Sequence, residues 1–280
     1  MNNKETLEYK QLIATESMPV RHDIYKHYLF NESTDPALVE TALKVHAEGY
    51  TAMGFVSEDA VDPNGVLDSS IDHSRGVFTD YYLAVNPNDP NDMATVRKIS
   101  TPLYGSFEDL PAFQLSKDVL YPEGIALLNE LEANGYQIKE IAGLARTKSA
   151  NPMSVYELIR EVFQTSIIRD EAWFFSIVSS TFNSITQYFG KTAFRVIGQD
   201  VRINDYRVNE KIQLKPSILV PNQSFKLLIE DINNTTTPKA KRRLLSMFLY
   251  LSENLGEDIV GHEVFDFRNR HLSELELVEQ

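Results

Sequence analysis

The 280-residue sequence predicts an α/β protein whose helices flank a mixed β-sheet. Residues 138–146 have the pattern of a strand, residues 155–167 carry a helical apolar stripe, and residues 172–179 form a nearly continuous apolar run. A strand, a helix and a buried strand at this spacing predict a β-α-β crossover with two parallel strands. Residues 77–85 and 93–100 also resemble strands, and the turn cluster between them predicts an antiparallel hairpin. A sheet that contains both kinds of strand pair is mixed.

Capping and turn residues place the other elements of an expected single domain, residues 1–280. Asp35-Pro36 predicts the start of a helix, because aspartate caps free amides and proline suits the first helical position. Pro122 predicts the start of another helix, and residues 101–121, which lack a clear period, predict a loop. Further elements are expected at 181–191 (helix), 195–203 and 225–231 (strands) and 239–255 (C-terminal helix), followed by a mobile acidic tail, SELELVEQ.

The charge balance and the cysteine count exclude several classes of protein. The chain has 27 Lys and Arg against 40 Asp and Glu, for a net charge of −13. Nucleic acids and anionic membranes require a positive surface, so neither is an expected partner. The absence of cysteine excludes disulfides and thiolate chemistry and fits a reducing compartment. Neither a signal peptide nor an apolar run of about 20 residues is visible, so we expect a cytoplasmic protein without a transmembrane segment.

Two further patterns argue against nucleotide and metal binding. Gly190-Lys191-Thr192 ends like a phosphate-binding P-loop, but Ile185 occupies the position of the glycine that this motif requires. The six histidines lack partner ligands nearby in the sequence. The sequence therefore predicts neither a nucleotide P-loop nor a metal site.

The central segments resemble those of one enzyme superfamily. The strand KEIAGLAR, residues 139–146, the helix after it and the strand WFFSIVSS, residues 173–180, are similar to the central β-α-β unit of the GNAT acyltransferases. Tyr188, followed by Phe194 at the next strand, is similar to a late tyrosine and phenylalanine of that superfamily. The resemblance implies a mixed, splayed sheet flanked by helices.

The order of the upstream segments narrows this resemblance. An acidic loop with Asp68 and Asp72 precedes the strands DYYLAV and TVRKIST. This order is similar to the front half of acyl-homoserine-lactone synthases and of long-chain N-acyl amino acid synthases. The resemblance spans residues 35–230.

Two departures from the family pattern bear on the substrates. Residues 146–154 contain none of the glycines of the usual phosphate loop, which weakens an acetyl-CoA interpretation and leaves room for an acyl-carrier protein as donor. Ala142-Gly143 stand where the lactone synthases carry Ser-Arg, which argues against lactone synthesis.

The resemblance implies roles for residues around the two central strands. Glu140 would remove the proton of an amine, directly or through a water, and the alternative is a surface glutamate on a strand edge. A backbone N–H of Leu144 or Ala145, freed by the splay, would stabilise the oxyanion. Tyr188 would give a proton to the departing thiolate, and the alternative is a half-buried aromatic residue without this role.

The donor phosphate would lie at the N-terminus of the helix that follows the first central strand, where helix amides favour an anion. The residues implied in donor binding here are Ser149 and Ser154, with positive charge from Arg146 and Lys148. The spacing of Ser154 and Glu157 also predicts a capping box, which is compatible with phosphate binding.

Arg97 and a basic cluster near the C-terminus are candidates for binding the acceptor and the donor, respectively. Arg97 could hold the carboxylate of the acceptor, and the alternative is a pairing with the acidic loop around Asp68 and Asp72. A basic cluster at the start of the last predicted helix could dock an acidic acyl-carrier protein, and the alternative is a solvated helical turn. This cluster consists of Lys239, Lys241, Arg242 and Arg243.

The function predicted from the resemblance is N-acyl transfer. The donor would be a long-chain acyl thioester of coenzyme A or of the phosphopantetheine of an acyl-carrier protein, and no cofactor would be bound permanently. The acceptor would be the amine of an amino acid or of a similar small molecule. The alternatives are an acetyl-CoA-dependent N-acetyltransferase and a non-catalytic GNAT-like module that binds an acyl group or a protein.

Overall fold

Seven strands form one mixed sheet in the computed structural model, which describes residues 24–72, 78–102 and 105–278. The sheet order is β1-β2-β3-β4-β5-β7-β6, and only β4 and β5 run parallel. The predicted mixed sheet is therefore confirmed. The strands are β1 (Lys26–Phe30), β2 (Thr79–Asn86), β3 (Asp89–Ile99), β4 (Gln137–Arg146), β5 (Glu171–Val178), β6 (Arg195–Val196) and β7 (Leu214–Leu219).

Helices cover both faces of this sheet. Side chains of α1, α2 and α3 pack on the face that carries Tyr81 and Phe174, which we call the α1 face. Side chains of α4, α5, α6, α7 and α9 pack on the opposite face, the α4 face, which carries Tyr82 and Trp173. The helices of the described residues are α1 (Pro36–Ala52), α2 (Pro111–Ser116), α3 (Pro122–Ala133), α4 (Met153–Ile168), α5 (Ser179–Phe189), α6 (Pro221–Asn234), α7 (Pro238–Ser252), α8 (Glu257–Val260) and α9 (His262–Val278).

The two parallel strands separate soon after they begin. Strands β4 and β5 pair only from Gln137 to Glu140 and from Glu171 to Phe174. Beyond that point β4 stays with β3 and β5 stays with β7. The sheet is therefore splayed, as predicted, and backbone groups of both strands face the gap.

The hairpin and the C-terminal region differ in extent from the prediction. The β2–β3 turn contains only residues 87–88, because β3 already begins at Asp89. The predicted C-terminal helix is α7, and two more helices follow it. Residues 273–278, which belong to the predicted mobile tail, form the last turns of α9, while 279–280 lie outside the described residues.

Two sequence predictions of secondary structure are wrong, and the predicted strand over 195–203 is reduced to the two-residue β6, Arg195–Val196. The predicted loop over 101–121 contains a 3-10 turn, Phe107–Asp109, which a capping box between Ser106 and Asp109 begins. It also contains α2, which begins with a proline at its first helical position. The predicted strand over 225–231 lies inside α6, since its apolar residues repeat at helical rather than alternating spacing. The strand that pairs with β5 is β7 instead.

No helix in the described part of the chain combines the length and the apolar character that a membrane crossing requires.

A buried ion pair joins β3 to β5 on the α4 face. Lys98 Nζ lies 3.1 and 3.0 Å from the two carboxylate oxygens of Glu171, and both side chains are almost fully buried. Ser166 Oγ donates to the same carboxylate at 2.7 Å and accepts a hydrogen bond from Trp173 Nε1 at 2.8 Å. The network ties the end of α4 to the strand that follows it.

We expect Glu171→Gln to lower the free energy of unfolding by about 3–5 kcal/mol, because the Lys98 ammonium would stay buried without its counter-charge. The matched control is Glu40→Gln, which breaks an exposed pair with Lys44 and should cost less than about 1 kcal/mol. Chemical denaturation of both variants measures the difference. Equal losses would contradict a special role for the buried pair.

Candidate active site

Glu140 occupies the last position at which β4 pairs with β5, opposite Phe174. Its side chain lies on the α1 face and is only 5% exposed. The Glu140 Oε2 atom accepts a hydrogen bond of 2.8 Å from the backbone N–H of Ala112, in the first turn of α2. Glu140 is therefore a buried carboxyl group on an internal strand, not a surface residue on a strand edge.

Burial raises the pKa of Glu140 from its ordinary value to about 7, although the Ala112 N–H and the charge of Arg97 act in the opposite direction. At neutral pH, both the acid and the carboxylate are populated. A group with this pKa can take up a proton and release it again at nearly no cost, which suits a general base.

An ion-pair cluster lies beside Glu140 on the same face. Arg97 is fully buried, and its Nη1 donates a 2.5 Å hydrogen bond to Asp72 Oδ1. Its Nη2 donates to His46 Nδ1. Burial alone would raise the pKa of Asp72, but the charge and the hydrogen bond of Arg97 outweigh it and hold that pKa well below its usual range. Arg97 therefore has the predicted alternative partner, and an acceptor carboxylate could reach it only by displacing Asp72 or His46.

His46 is uncharged in this cluster. Burial and then the charge of Arg97 lower the pKa of His46 to about 4. Because a guanidinium can only donate hydrogen bonds, His46 Nδ1 must accept, which places the imidazole proton on Nε2. Tyr50 meets the ring edge-on, with the ring centroids 4.1 Å apart. His46 thus extends the polar cluster into α1.

The two acidic residues of the predicted loop have different surroundings. Asp72 is buried beside Arg97, whereas Asp68 is exposed and pairs with Arg207 at 3.3 Å. Arg207 also binds Asp205 at 2.8 Å. Only Asp72 therefore contributes to the cluster around Glu140.

A β-bulge bends β4 directly after Glu140. Ala142 pairs with Arg97 of β3 and Ala145 pairs with Thr95, so three steps along β4 match only two steps along β3. Gly143 has a φ of +62°, and a Cβ atom there would lie 3.1 Å from Arg97 Nε. Both the left-handed backbone and the close guanidinium favour glycine at this position.

The two residues predicted to supply an oxyanion amide follow the bulge. The Leu144 side chain packs into the core of the α4 face, and the buried Ala145 pairs with Thr95 of β3. Both residues lie on the part of β4 that has separated from β5. The structure thus places them along the gap that begins at Glu140.

The predicted phosphate segment already uses its polar groups within the protein. The backbone N–H of Lys148 donates to Glu48 Oε1 at 2.8 Å, and that of Asn151 donates to Asp92 Oδ1 at 3.0 Å. Arg146 Nη1 donates to the Ala150 carbonyl. Ser149 Oγ donates to the carbonyl of residue 91 at 3.3 Å. An incoming phosphate would have to displace two carboxylates from these amides.

The predicted capping box at Ser154 is wrong. Helix α4 begins at Met153, and the fully buried Ser154 donates its Oγ to the carbonyl of Asn151 at 2.7 Å instead of accepting from the helix. The Asn151 side chain accepts from the Met153 N–H at 3.0 Å and takes the capping role. Glu157 pairs with Arg160. Pro152 already has helical backbone angles, so the capping side chain is that of Asn151, three residues before Ser154.

Tyr188 lies on the other face of the sheet from Glu140. It is half-buried in α5 and packs into the core of the α4 face. Its ring centroid is 6.3 Å from that of Tyr156, and Arg243 Cζ lies 5.2 Å from its ring. The two predicted catalytic residues are therefore on opposite faces of the splayed sheet.

The basic cluster on α7 is smaller than predicted. Lys239, Lys241 and Arg242 are exposed. Arg243 turns towards α5, where it donates to Gln187 Oε1 at 2.5 Å and stacks on Tyr188. Arg243 therefore belongs to the packing around Tyr188 and not to the exposed patch.

The sequence did not indicate two of the residues around Glu140. Ala112 supplies its main-chain N–H, so its side chain carries no signal, and the sign of α2 in the sequence is Pro111 at the first helical position. His46 carries no signal either, because no partner ligand stands near it in the sequence. Its partners come from distant segments.

The splayed mixed sheet, with its helices on both faces, is the GNAT acyltransferase fold that the sequence predicts. Among solved structures the chain is similar to FeeM, an N-acyl amino acid synthase from uncultured soil microbes, at 15% identity, over 72% of this chain and 95% of that one, with a TM-score of 0.50. It is also similar to MesI, a CoA-dependent acyl-homoserine lactone synthase, at 10% identity, over 78% and 93% of the two chains, with a TM-score of 0.45. An acyl-CoA N-acyltransferase from Pseudomonas aeruginosa is 12% identical over 70% and 99%, with a TM-score of 0.40. No family model and no curated protein sequence matches the chain.

We expect Asp72→Asn to lower the free energy of unfolding by about 3–5 kcal/mol, because Arg97 would stay buried without a carboxylate. Asp68→Asn is the matched control, since it removes a carboxylate from the same loop while Arg207 keeps Asp205. The denaturation midpoint of that control should stay near the wild-type value. A similar shift in both variants would contradict the difference inferred from burial.

Proposed function

We propose that this protein is an N-acyltransferase that moves a long-chain fatty acyl group from an acyl thioester to the amine of an amino acid or of a similar small molecule. The donor is an acyl-coenzyme A or an acyl-carrier protein. The observation that carries this proposal is Glu140, a buried carboxyl group with a pKa of about 7 at the point where β4 and β5 separate.

The proposed reaction begins with removal of a proton from the acceptor. An α-amine has a reference pKa of about 8 and is mostly protonated at neutral pH. Glu140 takes that proton, directly or through a water, and the free amine attacks the thioester carbonyl carbon. The carbonyl oxygen becomes an oxyanion, which an N–H of Leu144 or Ala145 stabilises. The carbon–sulfur bond then breaks to give a thiolate, and the nitrogen releases its second proton to water, which leaves a neutral amide.

Tyr188 completes the proposed reaction by giving a proton to the thiolate. Its position on the α4 face is compatible with this role, because a thioester that passes through the gap between β4 and β5 is reached from both faces of the sheet. Arg243 holds the Tyr188 ring in place from α7.

A long acyl chain is supported by the aromatic side chains next to the gap. Phe175 follows Phe174, the last residue of β5 that pairs with β4, and its ring centroid lies 5.6 Å from that of Phe194. Phe182 meets Phe194 at 6.5 Å. Each buried methylene contributes about 0.8 kcal/mol, so a chain that packs among these rings would dominate donor selection.

The second candidate is a non-catalytic module that binds an acyl group or a protein. The carboxylates that occupy the amides of Lys148 and Asn151 favour it, because they close the position where a donor phosphate would bind. Release of free thiol from the donor separates this candidate from the enzyme. Acetyl transfer from coenzyme A is a further alternative, which the donor series below addresses.

We expect free thiol to appear when the protein is mixed with acyl thioesters and amino acids, with kcat/KM rising from acetyl to palmitoyl donors. In the wild type, kcat/KM should rise with pH through about 7, as Glu140 becomes ionised. Glu140→Gln should lower turnover by about 10²–10⁴ and remove the inflection near pH 7, so that only the rise towards the amine pKa of about 8 remains.

The control for Glu140→Gln is Glu132→Gln, at an exposed position of α3, which should behave like the wild type. Wild-type rates in a folded Glu140→Gln variant would disprove the role of Glu140. Equal kcat/KM for acetyl and palmitoyl donors would disprove long-chain selection.

The exposed basic patch of Lys239, Lys241 and Arg242 is the proposed docking surface for an acidic acyl-carrier protein. We expect the triple alanine variant to have a several-fold higher KM for an acyl-carrier donor, with an effect that fades above about 0.15 M salt. Kinetics with acyl-coenzyme A should stay unchanged. Arg243→Ala is the control outside the patch, and because Arg243 contacts Tyr188 it should lower kcat alike with both donors. An equal loss with both donors in the triple variant would contradict docking.

A further inference from the structure

Ser176 carries a buried hydroxyl group that has no hydrogen-bond partner among the described residues. Buried hydroxyl groups in proteins are almost always hydrogen-bonded, because they lose their bonds to water on folding. Its neighbour across the sheet is Pro216, which has no backbone N–H and whose carbonyl already accepts from Ile197 at 3.0 Å. The hydroxyl group is therefore able to serve a ligand.

Ser176 and Glu140 lie on the same face of the sheet, beside the gap between β4 and β5. Side chains alternate along a strand, so Ser176 shares the α1 face with Phe174, which pairs with Glu140. Ser176 lies two residues beyond Phe174, about 7 Å further along β5, where β4 has already separated. Ala142, two residues beyond Glu140, lies on the other side of the gap and has no polar side chain.

We propose that Ser176 donates a hydrogen bond to the carbonyl oxygen of the acyl thioester and so acts as a second oxyanion donor, opposite the β4 amide. This inference rests on the proposed N-acyl transfer. Ser176 lies on the same face as Glu140, two residues beyond the last pair of β4 with β5, so a thioester that enters the gap next to Glu140 meets the Ser176 side of the gap first. Its neighbours Phe174 and Ala142 offer no competing side-chain acceptor.

The hydroxyl group keeps its own proton throughout. When the amine attacks, the carbonyl π electrons move to the oxygen, and the hydrogen bond from Ser176 strengthens as negative charge develops. When the carbon–sulfur bond breaks, the electrons return to the carbonyl and the hydrogen bond weakens again. No oxidant, metal or further reactant is required.

The test uses Ser176→Ala in the full-length protein. We expect kcat to fall about 10²-fold with KM nearly unchanged, because the lost interaction is strongest in the transition state. The melting temperature should stay equal or rise, since a buried unpaired hydroxyl group is removed. Ser176→Thr keeps a hydroxyl group and should retain most of the wild-type kcat.

Ser217→Ala is the matched control on the adjacent strand β7. Ser217 is fully buried, but its Oγ donates a hydrogen bond of 3.2 Å to the carbonyl of Lys215. This variant should have a lower melting temperature and a wild-type kcat, the opposite of the pattern expected for Ser176→Ala. A wild-type kcat in Ser176→Ala would overturn the proposal.

A binding measurement keeps the test independent of turnover. The probes are two analogues of acyl-pantetheine, a ketone that keeps the carbonyl and replaces sulfur by methylene, and a thioether that lacks the carbonyl oxygen. The wild type should prefer the ketone about tenfold, and Ser176→Ala should lose this preference. An unchanged preference would overturn the Ser176 proposal alone. A wild type that neither releases thiol nor binds either probe would instead overturn the proposed function.

Discussion

The short parallel pairing of β4 with β5 is the constraint on which the rest of the structure depends. Buried backbone groups require partners, and two strands that part inside a sheet leave such groups facing a gap. The strands can part because β3 continues to hold β4 and β7 continues to hold β5. Helices on both faces then enclose the gap, so that a carboxyl group at its start is removed from water. The raised pKa of Glu140 follows from this enclosure.

The charges inside the protein are arranged by strand alternation. Arg97 and Lys98 are consecutive residues of β3, so their side chains point to opposite faces, and each meets a buried carboxylate there. Buried ion pairs add little net stability, but an unpaired buried charge is very unfavourable. Pairings of this kind therefore fix which segments must come together. Asp72 brings the loop after α1 onto the sheet, and Glu171 fixes the start of β5.

The sequence predicts the centre of the fold well and its periphery poorly. The β4-α4-β5 unit follows from periodicity, because its helix and strands have strong and different apolar repeats. The prediction of a strand over 225–231 fails because the apolar repeat there is helical, and α2 is too short for a periodic signal. A family resemblance indicates Glu140, but the sequence does not predict its environment. That environment consists of Ala112, Arg97 and Asp72, which lie far apart in the chain.

The bulge after Glu140 links two positions of the sequence that are 46 residues apart. Gly143 and Arg97 are in close contact, because a Cβ atom at position 143 would lie 3.1 Å from Arg97 Nε and 3.2 Å from Arg97 Cζ. A larger residue at 143 would therefore have to adopt a strained backbone and push the Arg97 guanidinium aside. A shift of Arg97 would in turn weaken its ion pair with the buried Asp72. The three positions are expected to vary together or not at all, so that the bend in β4 and the charge beside it are inherited as one unit.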